Sequence, residues 1–265
     1  LDEAIAYDVK RDVDPEVIGM TVGGIGCGTV YLSGDGQLWV WDILNTHHEG
    51  VVTSCRPKPP EGMETCAKEG VAERHGANFL VPPRASQKKH GVDARFTLVH
   101  DGEVRPFDAS GWDEVTFTGR WPVGIVEYAA TNTPLRARLE ACSPFIPLNL
   151  KDSSLPVTIL EYTLRNPGEK DVQVEVAGHL NNVAGMHSRL AALRFTESFS
   201  GERCQGLYHG LRPTGAEQGD VTSKHDYGSM AVAVLGEEKA ILDPEGNTVA
   251  TPITIPAGGE RTVRF

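Results

Sequence analysis

The sequence predicts an all-β fold, a large antiparallel two-sheet β-sandwich with long loop excursions. Three observations carry this prediction. The 29 glycines and 17 prolines break the 265-residue chain every few residues and leave little room for long helices. Short runs rich in β-branched and aromatic residues recur between the breaks. Tight-turn signals separate several of these runs, as antiparallel neighbours require.

The elements follow in order. Thr29–Leu32 and Leu38–Asp42 flank Ser33-Gly34-Asp35-Gly36 and form a hairpin. Further strands fall at Leu38–Ile43, Ala94–Val99, Glu114–Thr118, Ile125–Ala130 and Met230–Leu235. In Val172–Ala177 the valines alternate with Gln173 and Glu175, the period of two that marks a half-buried strand. Val157–Leu164 is more uniformly apolar and suits a central strand between two layers. Asn166-Pro167-Gly168-Glu169 is a second tight connection between two of these strands. Glu49–Gln87 holds five prolines, several charges and no periodicity, so it forms a long excursion, and Asn181–Ser188 a shorter one. The whole of 1–265 is taken as one sandwich domain.

Bulk properties exclude several function classes. A formal charge of −11 leaves no basic footprint for nucleic acid and none for an anionic membrane surface. No apolar run approaches the roughly 18 residues of a transmembrane segment. Leu1-Asp2-Glu3-Ala4 is acidic, unlike a signal peptide, although a removed export segment stays open. Cysteines at 27, 55, 66, 142 and 204 are odd in number and loosely spaced, which argues for free thiols and leans towards the cytoplasm. A single disulfide, Cys55–Cys66 for instance, is also compatible with the sequence.

Gly23-Gly24-Ile25-Gly26-Cys27-Gly28 invites a phosphate-loop reading, but a second strand follows it instead of a helix. These glycines suit positive φ angles or a close backbone approach. Trp39 and Trp41 share one strand face and serve as core, as an interface, or as a sugar platform. His47, His48, Cys55, Cys66, His75 and His90 match no metal-ligand spacing, so no metal and no cofactor is assigned. Asp42, Asp152 and Glu161 lie in distinctive segments, yet no pair of carboxylates stands out as a glycosidase couple, and Asp152 suits a turn or cap.

Three segments together carry a family resemblance. They are Met20–Val30 leading into Gln37–Ile43, then Cys142-Ser-Pro-Phe-Ile-Pro-Leu-Asn-Leu-Lys-Asp-Ser-Ser-Leu-Pro-Val157, then Thr158–Asn166. In order and spacing they resemble the N-terminal domain of glycoside hydrolase family 116, which includes the non-lysosomal glucosylceramidase (bile acid β-glucosidase) and bacterial β-glucosidases. The resemblance implies a sandwich packed on a C-terminal (α/α)6 catalytic barrel of the same polypeptide. It also implies retaining hydrolysis of β-glucosides by a Glu nucleophile and an Asp acid/base, both in the barrel. Those residues match no position here, so no catalytic residue is carried over and the chain alone is expected to be inactive. Gly24, Gly26, Trp39, Trp41, His47 and His48 are the candidate contacts with the barrel or with sugar at a shared cleft. If they face a partner, the domain should expose an unusual apolar patch. The alternative is a stand-alone carbohydrate-binding or structural interaction module.

Overall fold

The computed structural model describes residues 6–8, 19–43, 92–215, 219–236 and 239–265. Its strands, in chain order, are β1 (Ala6–Asp8), β2 (Gly19–Thr21), β3 (Thr29–Ser33), β4 (Leu38–Asp42), β5 (Ala94–His100) and β6 (Glu103–Pro106). Next come β7 (Glu114–Arg120), β8 (Val123–Ala129), β9 (Arg136–Cys142), β10 (Ile159–Arg165), β11 (Val172–Leu180) and β12 (Arg194–Ser200). The chain continues through β13 (Cys204–Leu211), β14 (Met230–Leu235), β15 (Ile241–Asp243), β16 (Thr248–Ile255) and β17 (Glu260–Arg264). Among the described residues, helix is confined to α1 (Leu150–Ser153) and single 3₁₀ turns at Ala191–Leu193 and Val221–Ser223.

A nine-stranded sheet runs β1-β7-β8-β9-β10-β17-β14-β13-β12, and a five-stranded sheet runs β15-β16-β11-β5-β6. Their facing residues make one core. Alternation puts Ala137, Leu139 and Ala141 of β9 inward and Arg136 and Arg138 outward. Leu98 of β5, Val176 of β11 and Ile255 of β16 meet them from the other sheet. Each fully buried residue of this size contributes about 1.5–3 kcal/mol. Aromatic rings bridge the layers: Phe107 stacks on Tyr162 at 4.4 Å, and Phe96 meets the edge of Phe265 at 5.3 Å.

A third sheet, β2-β3-β4, lies against the larger one. Leu32 is fully buried there, and a Cβ added at Gly124 of β8 would come 2.5 Å from it. The β3–β4 turn is tied down by the Tyr128 hydroxyl, which donates to the Asp35 carbonyl at 2.9 Å. Gly36 closes that turn at φ 95°.

The expected hairpin is present, with Leu32 opposite Leu38. The apolar run after Val157 is a mid-sheet strand between β9 and β17, as expected. The Asn166–Glu169 connection joins two of the expected strands, β10 and β11. It joins strands of different sheets, so β10 and β11 never pair. The reason is Asn166, fully buried, whose amide donates to the Lys170 carbonyl at 2.7 Å and accepts from Gly168 N at 3.0 Å. The Glu49–Gln87 excursion and the Cys55–Cys66 pair lie outside the described residues.

Candidate functional site

The two most distinctive sequence segments meet in space. After β2 the glycine run turns with Gly26 at φ 74° and Gly28 at φ 94°, a conformation that side chains resist. Gly24 is buried, and a Cβ there would stand 2.1 Å from the Leu155 carbonyl oxygen. Ile25 N donates to the Ser153 carbonyl at 2.9 Å, and the Cys27 thiol points to the Ser154 carbonyl. Ser143 and Thr158 hydroxyls both donate to the Val22 carbonyl. The glycine turn and the 143–158 segment are therefore one assembly, and the glycines allow its close approach.

The 143–158 segment is held rigidly without being a strand. Buried Ser153 accepts from Ile146 N at 2.8 Å and returns a bond to the Ile146 carbonyl at 3.1 Å. Asn149 caps α1 by accepting from Asp152 N at 3.1 Å, and its amide donates to the Asp152 carboxylate at 2.6 Å. Asp152 is thus the partner of a capping residue and not the cap itself. Leu148 sits at φ 65°, a costly conformation for a leucine, and is fully exposed.

This rigid frame displays apolar side chains to solvent. Ile146, Leu148, Leu150, Leu155 and Val157 are exposed, together with Ile25 from the glycine turn. Trp121, 61% exposed, stands at 4.4 Å edge-to-face with the partly exposed Phe145. Isolated exposed leucines are ordinary, but exposed apolar residues gathered on one segment make it a candidate contact surface. The sequence signal was visible, because Ser143–Pro156 carries five large apolar residues among three prolines with no strand period. Without the fold nothing separated them from core.

The candidate residues are only partly brought together. Gly24 and Gly26 belong to the assembly just described. Trp41 packs partly buried against the core beside Leu38 and Ile43, and its indole N–H donates to the Leu38 carbonyl at 3.3 Å. It shares with Gly24 the lining of a mainly apolar cleft of about 590 Å³. Trp39 lies in β4 opposite Tyr31, but its side chain is outside the described residues. His47 and His48 also lie outside them. Trp112 is a core residue whose indole donates to the Pro106 carbonyl at 3.0 Å.

Charged groups are engaged structurally. Glu140 and Glu161 face each other across β9 and β10, and each is paired to an arginine, Arg138 and Arg264 respectively. Burial, and then these two carboxylates, push the Cys142 thiol pKa up. Cys27, Cys142 and Cys204 are free thiols. Among the described residues no three His, Cys, Asp or Glu side chains gather as metal ligands, and no helix is long and apolar enough to cross a membrane. Burial, followed by the charge of His179, lowers the pKa of fully buried His209 to about 4.

Antiparallel sheets closing on a shared core define the chain as a β-sandwich protein. A family profile described as beta-glucosidase 2, glycosyl-hydrolase family 116 N-term, matches residues 19–255. The chain belongs to that family of glycoside hydrolase family 116 N-terminal domains. A solved structure titled putative kojibiose phosphorylase from human microbiome is similar at a TM-score of 0.40 and 11% identity. The match covers 65% of this chain and 22% of that one. No curated protein matches.

Proposed function

We propose that this chain is the non-catalytic N-terminal β-sandwich of a β-glucosidase-like hydrolase, packing on an (α/α)6 catalytic barrel of the same polypeptide. The observation that carries the reading is the apolar strip on the glycine-turn assembly, with Leu148 and Leu150 at its most exposed points. Interface cores are built from such apolar and aromatic anchors set on a rigid frame. The same loops are proposed to line the rim of the barrel's cleft, where a neutral β-glucoside needs no charge complement from a chain of charge −11. Acid/base and nucleophilic chemistry belongs to the barrel in this reading.

One observation favours a second reading. Exposed Trp121 against Phe145 offers an aromatic face of the kind that stacks on sugars, as in a carbohydrate-binding module. The test compares the 265-residue chain with a form extended through the catalytic domain, using a chromogenic β-glucoside. Hydrolysis by the extended form alone is expected, and turnover by the short chain would overturn the assignment. Saturable glucoside binding by the short chain, abolished in Trp121→Ala, would instead establish the binding-module reading.

A further inference from the structure

Two loop connections are locked together by one buried carboxylate. The chain from β11 to β12 passes through Ser188, and the chain from β13 to β14 passes through Asp226, which is fully buried. The Asp226 carboxylate accepts from Ser188 N at 2.7 Å and from the Ser188 hydroxyl at 2.6 Å. Its carbonyl accepts from Gly185 N at 3.0 Å. The first connection is anchored to the strands beneath it. The Asn182 amide donates to the Phe195 carbonyl at 2.9 Å and to the Gly210 carbonyl at 3.1 Å, and Arg194 Nε donates to the Ala184 carbonyl at 2.8 Å. In each connection the residue just before the locked one is an exposed histidine, His187 and His225. The lock therefore holds two imidazoles side by side at the surface, with ring centres 6.2 Å apart and planes inclined by 34°.

Coordination chemistry sets the separation that two imidazoles need to share an ion. A metal–nitrogen bond of about 2.0–2.1 Å puts each ring centre roughly 3.2 Å from the ion, hence two centres roughly 5.2 Å apart at the tetrahedral angle and roughly 6.4 Å when opposed. The observed 6.2 Å lies inside that range, and exposed side chains reach the tetrahedral value by rotating about χ1 and χ2. We infer that His187 and His225 form a two-imidazole site for a divalent cation of the Zn²⁺, Ni²⁺ and Cu²⁺ class. Each ring gives one nitrogen to the ion and keeps the other for a hydrogen bond. Water fills the remaining positions, because among the described residues no group of three His, Cys, Asp or Glu forms a metal site. Mg²⁺, which takes oxygen ligands, has nothing to gain from the pair. The ion clips two connections that Asp226 already joins, so little ordering is left to oppose binding. This inference is independent of the domain-docking reading.

The test titrates Zn²⁺ into the 265-residue chain and follows the imidazole NMR signals of individual histidines, with His187→Ala and His225→Ala as comparisons. Site-resolved signals are needed because the chain holds nine histidines. The His187 and His225 signals should shift together along one saturation curve, and Mg²⁺ should move neither. In each variant the surviving histidine should need roughly tenfold more Zn²⁺ or above for the same shift, since a single imidazole lacks the chelate. Both side chains are exposed, so the metal-free Tm of either variant should stay close to that of the unaltered chain. Signals that stay still under Zn²⁺ in the unaltered chain would overturn the inference. So would a His225 signal that responds to the same Zn²⁺ concentration in His187→Ala.

Discussion

A methyl group at Gly24 has the Leu155 carbonyl in its way, whereas at Gly26 it meets nothing within 4 Å. Gly26→Ala should therefore cost only the left-handed conformation, about 1–2 kcal/mol. Gly24→Ala must separate the glycine turn from the 143–158 segment, and should cost more in denaturant unfolding. Tyr162 presents the opposite case. Its hydroxyl is buried and finds no partner among the described residues, so Tyr162→Phe should raise stability by about 1 kcal/mol. His209 gives the chain a pH dependence. Its folded pKa, about 4, lies below the ordinary 6.5, so between those values the unfolded chain binds more protons. Stability should be full above about pH 6.5 and fall as pH drops towards 4. A Tm series against pH checks this, and His209→Gln should flatten that part of the slope.

At the scale of elements, the connection from β10 to β11 depends on Asn166. Asn166→Ala removes the bond to the Lys170 carbonyl and takes a donor from the buried carbonyl of Ile255, and should cost about 1–3 kcal/mol in equilibrium unfolding. This turn also shows how much of the fold was legible. Strand positions followed from local pattern, and Met230–Leu235 was placed without error because its side chains alternate against a buried face. Pairing was harder, since Pro-Gly beside an asparagine looks the same whether the chain folds back or crosses to another sheet. The separate β2-β3-β4 sheet was likewise invisible, because the contact of Gly124 with Leu32 joins residues far apart in sequence. The candidate site was half legible. The glycine run and the 143–158 segment each stood out, but their contact rests on Val22, Ser143 and Ser153, small residues without a sequence signature.

For the whole molecule, the exposed strip predicts a difference between the isolated and the joined domain. Leu148→Asp and Leu150→Asp together should leave the Tm of the 265-residue chain nearly unchanged, because both side chains are exposed. In a form carrying the catalytic domain the same pair should lower glucosidase activity and loosen the domains to limited proteolysis. Unchanged activity and protection would place the interface elsewhere. The order of strands in the large sheet has a temporal consequence as well. β10 lies at mid-sheet, and its inner neighbour, β17, follows it about a hundred residues later in the chain, the last of the described strands. On the ribosome, Tyr162 and Leu164 must therefore wait, uncovered on one flank, until residues as late as Arg264 have left the exit tunnel. Closure of this sandwich waits for β17, and a nascent chain stalled short of β17 is the form a chaperone would find.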